Sequence, residues 1–86
     1  MSHHETDFTG DVLVAVREAI EARMPGALAH VTGGRGHYTI EVTSPLFAGK
    51  SKLDSRRLVY GAIAHLMKGD SAPVHAVDRL ETVTPG

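Results

Sequence analysis

The sequence predicts an α+β protein, a two-layer sandwich of α-β-β-α-β order with both helices on one face of a three-stranded mixed sheet. Three observations predict it. Two stretches place apolar residues at helical spacing, each with its own start and stop signals. Two strand-forming runs flank the glycine-rich segment Gly33-Gly34-Arg35-Gly36. A third, β-branched run follows the second helix.

The first helix is read from about Gly10 to Met24, where Val12, Leu13, Val16, Ile20 and Met24 form an apolar stripe. Arg17, Glu18, Glu21 and Arg23 occupy the rest of the turn, Thr9 or Asp11 supplies the cap, and Pro25-Gly26 the stop. Ahead of it, Met1 to Phe8 is polar and aperiodic and is read as a flexible N-terminus, with no function assigned to His3 or His4. Residues 9–86 then make a single domain. A chain of 86 residues buries only about 60% of its unfolded surface, so its core has no residue to spare.

Leu28 to Thr32 and His37 to Ser44 are the expected hairpin strands, and the intervening glycines supply the positive backbone dihedrals of the turn. Alternation in the second strand turns Tyr38, Ile40 and Val42 toward the helices and His37, Thr39, Glu41 and Thr43 toward solvent. Pro45 to Gly49 leaves the sheet through a turn, and Ser51-Lys52-Leu53-Asp54 fits a capping box. Leu58, Val59, Ala62, Ile63, Leu66 and Met67 form the buried stripe of the second helix, which is expected to end near Lys68-Gly69. Asp70 to Pro73 connects to a last strand over Val74 to Val83, and the right-handed crossover rule makes that strand parallel to a neighbour.

Composition narrows the function. With 42% hydrophobic and 22% charged residues, the chain has the make-up of a globular protein. It has no cysteine, which removes disulfides, thiolate nucleophiles and cysteine-type zinc sites, so a soft metal would need histidine here and thiolates from elsewhere. A net charge of -1 argues against a protein whose main role is neutralising duplex phosphate. No signal peptide or membrane-length apolar run is read, which leads to the expectation of a cytoplasmic protein without a membrane partner.

The glycine loop lacks both a following helix and Gly-Lys-Ser at phosphate-binding spacing, so it reads as hairpin chemistry. Ser51, Ser55 and His65 match no triad spacing, and Asp70 and Asp78 lack paired acids. The expectation is that the protein is not an enzyme.

Five short segments stand in a telling order: His37-Tyr38, Phe47-Ala48-Gly49-Lys50-Ser51, Arg57-Leu58-Val59-Tyr60, Val74-His75-Ala76-Val77 and Thr82-Val83-Thr84-Pro85. In that order they resemble the BolA family, closely from His37 to Pro85 and loosely over the first helix. Val59-Tyr60-Gly61 looks most like its bacterial IbaG branch. The resemblance implies a fold related to the type II KH domain. It also implies partnership with a monothiol glutaredoxin around a shared [2Fe–2S] cluster, in iron-sulfur or redox homeostasis, with the histidine matching His75 as a ligand. The alternative it implies is a DNA-binding regulator of stress response and cell morphology, acting through the turn and helix matching Phe47 through Tyr60.

This chain departs from the family pattern in three places. The hairpin loop, where some members carry a second ligand, holds no cysteine or histidine. The usual Arg-His-Arg of the second helix reads Ser55-Arg56-Arg57, and the acidic-tryptophan tail is missing.

The candidate site residues follow. His75 opens the last strand at a sheet edge, where a neutral imidazole is a good iron ligand with the thiolates coming from the partner; alone, such a histidine is more often structural. His37, beside the hairpin loop, is a second candidate ligand or a surface histidine, and His30 and His65 are read as structural. Lys50, Lys52, Arg56 and Arg57 cluster at the start of the second helix, with Lys52, Arg56 and Tyr60 on one face. They suit an acidic partner or DNA, or form a solvated face. Phe47 is read as core. The chain alone is expected to hold no cluster and to be a monomer or weak homodimer.

Overall fold

A computed structural model describes residues 11–86. The expected flexible N-terminus, with His3 and His4, lies outside the described residues, as does the Thr9 alternative for the first cap.

Helix α1 spans Val12–Arg23. Asp11 caps it: its carboxylate accepts hydrogen bonds from the Leu13 and Val14 amides at 2.9 and 3.4 Å, pairing donors that the first turn cannot use itself. Val16, Ile20 and Met24, spaced i, i+4, i+8, are all buried, so the apolar stripe is the docked face. Glu21 on the same helix accepts from the Ala29 amide at 3.0 Å, tying α1 to the first strand.

Strand β1 (Leu28–Gly34) and strand β2 (His37–Thr43) form an antiparallel hairpin that pairs through Gly34 and His37. Pairing therefore continues through Gly33 and Gly34, two of the three glycines that the sequence pattern assigns to the loop, and the turn is only Arg35-Gly36. Both turn residues have positive φ, 55° and 85°, as a two-residue turn matched to the right-handed twist requires. Holding arginine there costs roughly 1 kcal/mol relative to glycine.

A 3-10 turn over Pro45–Phe47 follows, capped by Ser44, whose hydroxyl accepts from the Leu46 amide at 3.0 Å. It drops Phe47 into the core at 3% exposure, as the sequence reading expects.

Helix α2 (Lys52–Ile63) starts at Ser51, whose hydroxyl accepts from the Asp54 amide at 3.0 Å, one half of the expected capping box. The α-helix ends earlier than expected: Ala64–Leu66 tightens into a 3-10 turn, and Leu66 O accepts from the Val74 amide at 3.1 Å. That return bond turns the chain back under its own helix end, which a sequence stripe cannot announce. Gly69 lies in the following turn with φ 85°.

Strand β3 (Ala76–Val83) begins two residues later than the β-branched pattern suggested and lies parallel to β2. The sheet order is β1-β2-β3, a mixed three-stranded sheet with β2 at its centre. Tyr38, Ile40 and Val42 of β2 are buried beneath the helices, whereas His37 and Glu41 are exposed on the other side. One core, built from α1, the sheet, Phe47, α2 and Val74, fills the space between the layers.

Candidate functional site

The hairpin turn and the segment before β3 converge at one end of the sheet. Gly36 O accepts hydrogen bonds from two consecutive amides, His75 at 2.8 Å and Ala76 at 2.9 Å, using both carbonyl lone pairs. The side chain lies close as well: a Cβ built on Gly36 would overlap the His75 ring at Cδ2. Glycine is thus required at this position by its positive φ and by the imidazole lying against it. His75 is not the first residue of the strand, as expected from sequence, but the exposed residue just before it.

Beside His75 opens a groove of about 460 Å³, lined by Val12, Arg35, Gly36, Tyr38, Ala72, Pro73 and His75. Its walls come from the helix-covered side, at the start of α1, the hairpin tip and the connector before β3. Arg35 is exposed at the tip and makes no ion pair or side-chain hydrogen bond with the described residues.

His37 occupies a different place. Its Nδ1 lies 3.1 Å from Asp78 Oδ1, and both side chains are more than half exposed on the uncovered face. Asp78 is there because β3 carries an irregularity between the pairs Tyr38–Val77 and Thr39–Arg79. The extra residue turns Asp78 and Arg79 to the same exposed side. His37 is absent from the lining of the His75 groove, so the structure does not bring the two histidines into one pocket. Among the described residues no group of three or more His, Cys, Asp or Glu side chains is placed to hold a metal ion.

The basic residues divide as well. Arg56, Arg57 and Tyr60 line a second groove of about 490 Å³ between α2 and β3, together with Leu53, Asp78, Arg79 and Glu81. Lys50 and Lys52 stay outside it, at the start of the helix. Arg57 reaches Asp54 at 3.6 Å and Arg79 reaches Glu81 at 3.4 Å, exposed pairs of small energetic value. Tyr60 remains 38% exposed and Leu53 58%, so this groove presents apolar as well as cationic surface. His30, opposite Glu41 in the hairpin, and His65 are both exposed.

A sequence model of the family described as BolA-like protein matches residues 7–86. The chain belongs to the BolA-like family. Solved structures agree. This BolA-like chain is similar to a bol-like protein from Babesia bovis at 30% identity, covering 91% of this chain and 90% of that one, with a TM-score of 0.72. It is similar to a bolA protein homologue from Coxiella burnetii at 31% identity, with 81% and 86% covered and a TM-score of 0.69. Mouse BolA1 matches at 27% identity, covering 99% and 76%, with a TM-score of 0.71. No curated protein matches the sequence.

Two features of this BolA-like site escape the sequence reading. In the sequence Arg35 reads with its glycines as hairpin chemistry alone, and only the shared groove sets it beside His75. Asp78 reads in the sequence as an acid without an acidic partner; its contact with His37 depends on the β3 irregularity, which leaves no mark in a β-branched run. The signal that was available is Arg35 itself, a bulky residue in a turn that prefers glycine or asparagine.

Proposed function

We propose that this BolA-like protein is a non-enzymatic adaptor for a monothiol glutaredoxin, sharing or handing on a [2Fe–2S] cluster in iron-sulfur or redox homeostasis in the cytoplasm. The observation that carries the reading is an exposed His75, its ring laid against Gly36 at the mouth of an open groove, in a chain without cysteine. The residues fit such a cargo in one manner: His75 offers an imidazole, and thiolates must come from the partner. His37 is a poorer candidate, since one ring nitrogen already faces Asp78 and the residue lies off the groove. Placement in the IbaG branch rests on Val59-Tyr60-Gly61 alone.

The test reconstitutes the cluster on a monothiol glutaredoxin, adds this protein and records visible circular dichroism. Wild type is expected to change the spectrum and His75→Ala to leave it as the glutaredoxin alone gives it. Because His75 is exposed, the variant should keep its stability to within about 0.5 kcal/mol, so a lost signal is not lost folding. Identical spectra for the two proteins would overturn the ligand role, and no complex at all would overturn the partnership.

A second reading, nucleic-acid binding in regulation of stress response and morphology, is favoured by the α2–β3 groove, which Arg56, Arg57 and Arg79 line together with Tyr60.

A further inference from the structure

The hairpin tip holds an arginine where a two-residue turn asks for glycine, asparagine or aspartate. Nothing in the described fold compensates it. Arg35 is exposed, has no ion-pair or hydrogen-bond partner there, and so stabilises nothing that offsets its left-handed backbone. The turn is nevertheless held rigidly in place, because Gly36 O binds the His75 and Ala76 amides and the Gly36 backbone lies against the His75 ring. A strained cation without a partner among the described residues is thereby held at the rim of the groove that His75 lines.

We propose that Arg35 is the anion-recognising arm of the His75 groove, meeting the negative charge of a thiolate-ligated iron-sulfur cluster as the partner presents it to His75. The inference rests on the adaptor reading. A [2Fe–2S] cluster bound mainly by thiolates is net negative, because sulfide and thiolate charges outnumber those of the irons. Histidine contributes no charge in its ligating form, so charge attraction for that cargo, added to ligation by the imidazole, comes from a cation nearby. Arg35 supplies one, on the same turn that positions the imidazole. It recognises the loaded partner and ignores the empty one, because the charge it reads belongs to the cluster.

Calorimetric titration of the full chain with a monothiol glutaredoxin, cluster-loaded and cluster-free, at low and high salt, tests this with wild type, Arg35→Gly and Arg35→Lys. Arg35→Gly is expected to raise Tm by about 4 °C through relief of the backbone, showing that it folds. Its affinity for the loaded partner should fall about 3- to 10-fold, with a weaker salt dependence, while affinity for the cluster-free partner stays the same. Arg35→Lys should restore most of the loss. Equal affinity of Arg35→Gly and wild type for the loaded partner overturns the proposal, as does an equal loss toward both forms. His75→Ala, run alongside, separates the levels. If His75→Ala loses the spectral change that wild type gives while Arg35→Gly changes no affinity, the role of Arg35 falls and the adaptor reading stands; if no protein binds either form, both fall.

Discussion

Gly36 illustrates how much one residue can be asked to do. Its φ of 85° lies where a side chain is strained, its carbonyl serves two amides, and the space a Cβ would take is filled by the His75 ring. Gly36→Ala is therefore expected to cost about 1–2 kcal/mol from the backbone alone and to push the imidazole out of its place. Thermal unfolding measures the first effect. The second is checked by the NMR resonances of the His75 ring, which should move in Gly36→Ala and hold their position in a substitution remote from the groove. Unshifted resonances would mean that the ring does not depend on the turn. The two histidines show the same dependence on context. Both stand out in the sequence, yet His75 reaches a groove and His37 an aspartate, because they emerge on different sides of the sheet end.

At the scale of elements, α2 and β3 together make a surface that neither makes alone. The helix brings Leu53, Arg56, Arg57 and Tyr60, and the edge strand brings Arg79. The irregularity in β3 is what turns Arg79 outward alongside Asp78. Four cations grouped at the helix start are legible in the sequence, but the division that leaves Lys50 and Lys52 outside the groove is not. If this surface binds DNA, a mobility shift should weaken as salt rises, and Arg56→Glu should reduce affinity at least about tenfold by replacing an attraction with a repulsion. A binding curve unmoved by that reversal removes the nucleic-acid reading. The hairpin teaches a related lesson: glycines marked the turn correctly, but the strands pair through two of them, because backbone hydrogen bonding needs no side chain.

Across the whole molecule, a small core sets the margin. An 86-residue domain has a total stability on the order of 4–13 kcal/mol, so each buried aromatic is a large share of it. Phe47, 3% exposed, joins the sheet to the helices from the 3-10 turn that links β2 to α2. Phe47→Ala is expected to cost about 3–5 kcal/mol and to lower Tm by roughly 15 °C or more. Urea unfolding checks this, and a loss below about 1 kcal/mol would show that Phe47 is not a core residue. No helix among the described residues is long and apolar enough to cross a membrane.

The sequence by itself determined the order of elements, the inward faces of α1, β2 and α2, the Ser51 cap and the family, and it narrowed the first cap to Thr9 or Asp11. Those are local properties, written in periodicity, in Asp11 and Ser51 at helix starts, and in the ordered segments from His37 to Pro85. The tertiary structure alone decided what shares a pocket. Val12, Arg35 and His75 are far apart along the chain and meet only because β3 returns parallel to β2 and sets its first residues against the hairpin turn. The physical reason is that pairing across the sheet, through one glycine carbonyl and one missing Cβ, fixes those neighbours, and no periodicity in a single strand or helix encodes which residue of another will lie opposite.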